Sequence, residues 1–197
     1  MNQVVLPYSG DFLAGVDEVG RGPLFGSVVA ASVILDPCKP IEGLRDSKKI
    51  SEKKRDLMYD LIINNAFSYG LGWASPQEID ELNILQASLL AMKRAVLAMN
   101  KTPEFLAIDG NQCLDLPLPM QAIIQGDDLV PAISAASILA KVTRDREIIA
   151  FDKMYPEYGL KSHKGYPTKK HMEAIKEHGI TPLHRKSFKP VARVLEG

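Results

Sequence analysis

The stretch Ala14-Gly15-Val16-Asp17-Glu18-Val19-Gly20-Arg21-Gly22-Pro23-Leu24 runs an apolar strand into two adjacent carboxylates and then into an arginine flanked by glycines. A β-strand sends successive side chains to opposite faces, so Asp17 and Glu18 are expected to address one site through a break in the regular strand between them. Gly20 and Gly22 supply that break. Glycine accepts backbone angles closed to other residues and leaves peptide N–H and C=O groups open to a ligand, here beside the Arg21 guanidinium. An acidic pair next to bare peptide groups and an arginine asks for a metal ion and a partner that carries phosphate.

The neighbouring segments predict the frame around this stretch. Residues 12–17, 27–35 and 67–73 read as strands, the first two rich in Val, Ile and Ala, and their spacing suggests an antiparallel start. A helix over 51–65 follows Ser51 as N-cap, with Leu57, Met58, Leu61 and Ile62 at helical spacing. Ser75-Pro76-Gln77-Glu78 reads as a capping box with proline at the first helical position, and an amphipathic helix is expected over 84–99. Strands at 105–109 and 122–124 come after long crossovers, which implies parallel additions to the sheet. A small-residue helix over 131–155 suits close packing on that sheet, and 168–178, ended by Gly179, predicts the final helix. The layout is α/β: a mixed five-stranded sheet flanked by helices, with a helical, basic C-terminal extension over about 160–197.

A chain of 197 residues with 46% hydrophobic content supports one domain with a full core. Met1-Asn2-Gln3-Val4-Val5 lacks the basic start of a signal peptide, and apolar runs such as 28–35 are too short to span a bilayer, so a cytoplasmic protein without a membrane partner is expected. Cys38 and Cys113 lack metal-ligand spacing and read as reduced thiols. Charge is unevenly spread: 11 basic against 17 acidic residues in 1–128, and 13 against 7 in 129–197. All four histidines (163, 171, 178 and 184) fall in that basic tail, with Lys161, Lys164, Lys169, Lys170, Arg185, Lys186 and Lys189. Such a tail is either a solvated helix face or a footprint for a polyanion. An acidic metal-type site elsewhere in the chain favours the footprint.

Asp109 follows the strand at 105–108, and Asp127 follows 122–126, so Asp17, Glu18, Asp109 and Asp127 are expected to end three apolar strands and converge. Oxygen-only ligands favour Mg²⁺ or Mn²⁺ over zinc, and clustered carboxylates need cations to stay ionised together. Acidic residues after strands are also ordinary turn formers, and spacing alone leaves both readings open. Tyr166 suits either a core or a phosphate-rich surface; the glycine and proline around it, and His163 and Lys164 before it, argue for exposure. Asp145, between two arginines in mid-helix, reads as a structural ion-pair member.

The run 15–23, together with Asp46-Ser47-Lys48, Ile108-Asp109-Gly110-Asn111, Gly126-Asp127, the segment 135–145 and His163-Lys164-Gly165-Tyr166-Pro167-Thr168, closely resembles the bacterial ribonuclease HII family, the type 2 ribonucleases H. The blocks fall in order over essentially the whole chain. The resemblance implies a ribonuclease H-like fold and a metal-dependent endonuclease. Such an enzyme hydrolyses the RNA strand of RNA–DNA hybrids, nicks 5′ of single ribonucleotides in duplex DNA by two-metal-ion catalysis, and leaves 5′-phosphate and 3′-hydroxyl ends. It assigns metal binding and catalysis to Asp17, Glu18, Asp109 and Asp127, with Asp128 standing where a small or neutral residue is expected. It also assigns ribose sensing to Gly20, Arg21 and Gly22, junction sensing to Tyr166 and phosphate contact to Lys48; Lys164 joins these from the basic tail. Phe25 and Ser27 depart from the family pattern as packing variation. A monomer is expected, and no recruiting replication or repair protein is named by the sequence. The alternative is a non-catalytic hybrid-binding module of the same fold, which would gain nothing from four intact carboxylates. With only a few residues before Phe12, the extra N-terminal domain of the sister type, ribonuclease HIII, is not expected.

Overall fold

A computed structural model describes residues 5–44 and 50–196. Lys48 lies outside the described residues. Strands β1 (Leu13–Val19), β2 (Val28–Ile34) and β3 (Ser68–Ala74) form an antiparallel meander, and β4 (Phe105–Asp109) and β5 (Met120–Ile123) extend it in parallel. The sheet order is β3-β2-β1-β4-β5. That arrangement places β1 at the centre, with β4 beside it, so the C-terminal ends of both strands open at the same edge. Every residue of β2 is buried, as its unbroken Val/Ala/Ile run requires of a strand covered on both faces.

Helices α1 (Glu52–Asn65) and α5 (Pro131–Met154) cover one face, where Met58, Ile62, Ala135, Ala136, Ile138 and Leu139 pack with Ala31 and Val33 of β2. Helix α3 (Ile84–Leu97) covers the other, where Ala87, Ala91, Met92 and Ala95 meet Ala14, Val16, Ala30 and Ile108. Ser51 caps α1 by accepting from Lys54 N. At α2 (Pro76–Leu82) the capping box forms in full, with Ser75 Oγ accepting from Glu78 N and the Glu78 carboxylate accepting from Ser75 N. Asn83, at φ 76°, ends α2 and caps α3 by accepting from Leu85 N and Gln86 N, so one residue makes the corner between them.

Three expectations need correction. Strand β1 does not stop after Asp17: Glu18 still pairs with Ala30 and Val19 with Val29, because the partner β2 continues alongside. Asp127 does not end a strand. β5 stops at Ile123, and Asp127 sits in the short helix α4 (Gly126–Leu129). The 168–178 segment is not the last helix. After the 3₁₀ turn Pro156–Tyr158, α6 (Leu160–His163) and α7 (Lys169–His178) comes α8 (Lys189–Leu195), whose proline lies in the first turn, where its missing N–H costs no helical hydrogen bond. This C-terminal part shares a core of Tyr158, Leu160, Ile175 and Val191 with Ile148 of α5 and with Leu24 and Phe25. The tail is therefore packed against the turn that leaves β1. Among the described residues, no helix is long and apolar enough to cross a membrane.

Candidate active site

Asp17 and Glu18 point to opposite faces of β1, and the strand end lets both reach its edge. Asp17 is 5% exposed and is hydrogen-bonded by Ser137 of α5, while Glu18 lines a cleft on the α3 side with Arg21, Ser88, Met92 and Asp109. Asp109 stands at the end of β4, where its carboxylate accepts from Gly126 N at 2.7 Å. Burial, and then the charges of Glu18 and Asp109, push the Asp17 carboxyl well above the usual range. Burial also raises Glu18, against the pull of Arg21, whose Nη1 lies 3.3 Å from Glu18 Oε1. Three carboxylates from two strands thus share one field.

Asp127 comes close to this group through its neighbour, Gly126, the residue that donates to Asp109. Its backbone carbonyl accepts from Ser134 Oγ at 2.5 Å, which ties α4 to α5. Asp127 is buried and Asp128 exposed, so the helical turn sends the two adjacent carboxylates to different environments. Among the described residues, no three His, Cys, Asp or Glu side chains already close around a single ligation point. The donors nonetheless fit a hard divalent cation. They are oxygens at or near the buried Asp17, and a bound cation would relieve the desolvation and mutual repulsion that raise the carboxyls of Asp17 and Glu18.

The turn after β1 is built from beneath. Gly20 has φ +93°, a conformation suited to glycine, and Arg21 leaves 48% of its side chain exposed. Arg185, 0% exposed, donates from Nη2 to Gly20 O at 2.6 Å, from Nη1 to Arg21 O at 3.0 Å and Pro23 O at 2.7 Å, and from Nε to Gly26 O at 2.9 Å. With its carbonyls drawn inward, the turn leaves Arg21 and Gly22 exposed on its outer surface. Tyr166 is 42% exposed and its ring faces Gly22, where a Cβ would lie 3.3 Å from ring Cε1. The expected exposure of Tyr166 holds, and it stands beside the glycine-arginine turn.

The tail differs from the expected basic face. Arg185, His163, His171 and His184 are buried, not solvated, and only part of the charge run faces outward. Carbonyls can only accept, so His163 donates from Nε2 to Tyr158 O (2.9 Å) and takes Gly165 N at Nδ1 (3.3 Å), while His171 donates from Nδ1 to Tyr166 O (3.0 Å). His184 accepts Thr181 N at Nδ1 (2.9 Å), which leaves its Nε2 to donate to His171 Nε2 at 3.3 Å. This chain needs neutral rings, and burial holds His171 and His184 down to about 4. The histidines are the scaffold of the Tyr166 loop. Lys164 is half-buried at φ 51°, and its Nζ turns back to Lys161 O at 2.7 Å. Asp145 makes the expected ion pair, with Lys141 at 2.8 Å. Cys38 and Cys113 are free and exposed.

The pattern of a family described as ribonuclease HII matches residues 14–191. A ribonuclease HII from Marinomonas sp. (strain MWYL1) is 59% identical over 191 residues, covering 96% of each chain. Among solved structures, the ribonuclease H2 from Pyrococcus horikoshii OT3 superposes with a TM-score of 0.78 at 29% identity, over 93% of this chain and 97% of that one. The Bst-RNase HIII structure in complex with Mn²⁺ shares the fold with a TM-score of 0.72 at 18% identity, over 93% of this chain and 69% of its own.

Proposed function

Because the chain belongs to the ribonuclease HII family, metal-dependent type 2 ribonucleases H that act on RNA–DNA hybrids, we propose that it hydrolyses the RNA strand and also nicks 5′ of single ribonucleotides in duplex DNA. The observation that carries this reading is the carboxylate group of Asp17, which is buried, and Glu18 and Asp109, which are half-buried, at one sheet edge, with Asp127 one residue from the Asp109 hydrogen bond. Asp17, Glu18, Asp109 and Asp127 would hold two Mg²⁺ or Mn²⁺ ions, which supply Lewis-acid stabilisation of charge on a phosphate and an activated water. The other roles belong to the chain itself. Ser137 and Gly126 N orient the carboxylates, and the outer face of Gly20, Arg21 and Gly22 meets the 2′-hydroxyl that distinguishes RNA from DNA. The Tyr166 ring packs on the next sugar, where a DNA strand lacks that hydroxyl. Residues 160–197 lie along the duplex as part of a single, monomeric, cytoplasmic catalytic unit, with Lys164 and Lys48 contacting backbone phosphates without reading sequence.

The primary test is nicking of a duplex with one embedded ribonucleotide, with and without divalent cation. Absence of cation-dependent nicking alongside cleavage of a continuous hybrid would reject the junction activity. Tyr166→Ala is expected to lower nicking at the junction more than cleavage within a continuous hybrid, since a lost aromatic contact to nucleic acid is worth on the order of 1–3 kcal/mol. Equal losses on both substrates would make Tyr166 a structural residue. For the adjacent acidic pair, Asp127→Asn should be severe and Asp128→Asn mild, because only Asp127 is buried beside the carboxylate group. The reverse ranking in turnover at saturating Mg²⁺ would move the fourth ligand to Asp128.

A further inference from the structure

Arg144 is 1% exposed and belongs neither to the carboxylate group nor to the surface that would face a duplex. From α5 it reaches two distant segments at once. Its Nη2 donates to Phe25 O at 3.1 Å and its Nε to Ser27 O at 3.3 Å, on the segment that leaves the glycine-arginine turn, while Nη1 donates to Lys164 O at 3.2 Å, two residues before Tyr166. It also runs directly under Gly20, where a Cβ would overlap its Nε and Cδ. A backbone bond, Leu24 N to Gly165 O at 2.8 Å, joins the same two segments.

Burying a cation against carbonyls is a costly way to fill space that an apolar side chain would fill more cheaply. Only arginine, however, offers donors in a fixed planar fork, which locks the groups it binds into one mutual geometry. The geometry it locks here is tight: the distance of 3.3 Å from a Cβ at Gly22 to the Tyr166 ring leaves the turn and the ring already near contact. We propose that Arg144 is the positioning residue that sets the separation between the Gly20-Arg21-Gly22 turn and Tyr166, and through it the selectivity for a ribonucleotide–deoxyribonucleotide junction. This rests on the reading in which the turn meets the 2′-hydroxyl and the ring meets the following sugar.

Arg144→Lys separates fork from charge, since it keeps the cation and loses the planar donors. Initial rates on a duplex with one ribonucleotide and on a continuous hybrid would be measured for the parent, Arg144→Lys, Tyr166→Ala and the double variant. Both rates should fall in Arg144→Lys, with the junction-to-hybrid ratio lowered about tenfold, within the range that ångström-scale misplacement produces. The double variant should show the ratio of Tyr166→Ala alone, because a residue that acts through the ring has nothing further to act on. A parental ratio in Arg144→Lys, or losses that multiply in the double variant, overturns the positioning role. A parental ratio in Tyr166→Ala shows instead that the underlying reading of the ring has failed. Gly165→Ala probes the same separation while keeping the arginine itself: at φ +82° its Cβ would lie 3.1 Å from Phe25 Cβ and 3.2 Å from Phe25 O, the carbonyl that Arg144 Nη2 binds, forcing the Tyr166 loop away from the turn. Its ratio should fall likewise, and an unchanged ratio overturns the proposal even if Arg144→Lys does not fold.

Discussion

Asp109→Asn is expected to reduce Mg²⁺-dependent cleavage of an RNA–DNA hybrid by about a thousandfold or more, while leaving the fold and most of the hybrid affinity in place. Loss of a metal ligand removes several kcal/mol of transition-state stabilisation, and about 4 kcal/mol corresponds to that factor. The fold should survive because the side-chain amide oxygen introduced by the substitution can still accept from Gly126 N, as Asp109 does at 2.7 Å. Without metal, the variant should be at least as stable as the parent. Asp109 is one of the charges that raise the carboxyls of Asp17 and Glu18, and a raised carboxyl is a stabilising influence at low pH that is lost as pH rises through its folded value. Removing the Asp109 charge at neutral pH relieves part of that loss. Thermal melts in EDTA and in Mg²⁺ check both halves: the parent should gain stability with Mg²⁺ and the variant much less. Near-parental turnover at saturating Mg²⁺ would remove Asp109 from the metal site.

The features legible in the sequence were those fixed by local chemistry. Ser51 and the Ser75–Glu78 box declared their helices because a cap is a contact between residues three apart. The strands declared themselves through unbroken Val/Ala/Ile runs, and Asp17, Glu18 and Asp109 through their place at the ends of such runs. The features missed depend on distant partners. β1 persists through Val19 because β2 lies beside it, which nothing within 14–24 encodes. Arg185 and three of the four histidines look like surface charge by residue type. Arg185 is buried because the carbonyls of the turn after β1, more than 150 residues earlier in the chain, need donors, and the three histidines are buried because they bond the carbonyls of Tyr158 and Tyr166 and each other. The available hint was the local setting: His184 and Arg185 directly follow Leu183, with Ile180 and Phe188 close by in the sequence. The resemblance located the turn and Tyr166 as separate motifs. Their contact emerges only from the packing of the tail on Leu24 and Phe25.

Arg185→Ala should therefore act on stability first and on activity through it. Four carbonyls, of Gly20, Arg21, Pro23 and Gly26, lose their guanidinium donor together, and the cavity lies beneath a turn whose glycines resist little by themselves. Hydrogen bonds to a charged group contribute about 1.5–3 kcal/mol each, but bonds from one side chain are not additive, so a loss of about 3–5 kcal/mol is expected. That is a large share of the roughly 5–15 kcal/mol that keeps a domain folded, and it corresponds to a fall in Tm of about 6–20 °C for a chain of this size. Arg185→Lys should recover only part of the loss, because an ammonium cannot span four carbonyls with the geometry of a planar fork. The adjacent Lys186→Ala is the internal control: its side chain is exposed, and Asp80 is held by the Lys186 backbone N–H, which alanine retains. Melting curves for the three variants, with activity assayed well below each midpoint, separate the two effects. The expected order of stability is Lys186→Ala near parental, then Arg185→Lys, then Arg185→Ala. In the folded Arg185→Ala protein, cleavage should still be weakened on every substrate that presents a 2′-hydroxyl, since the turn proposed to meet it has lost its floor. A midpoint for Arg185→Ala within a degree of the parent would mean that water or the Arg144 guanidinium replaces all four bonds, and that the turn holds its shape without the C-terminal tail.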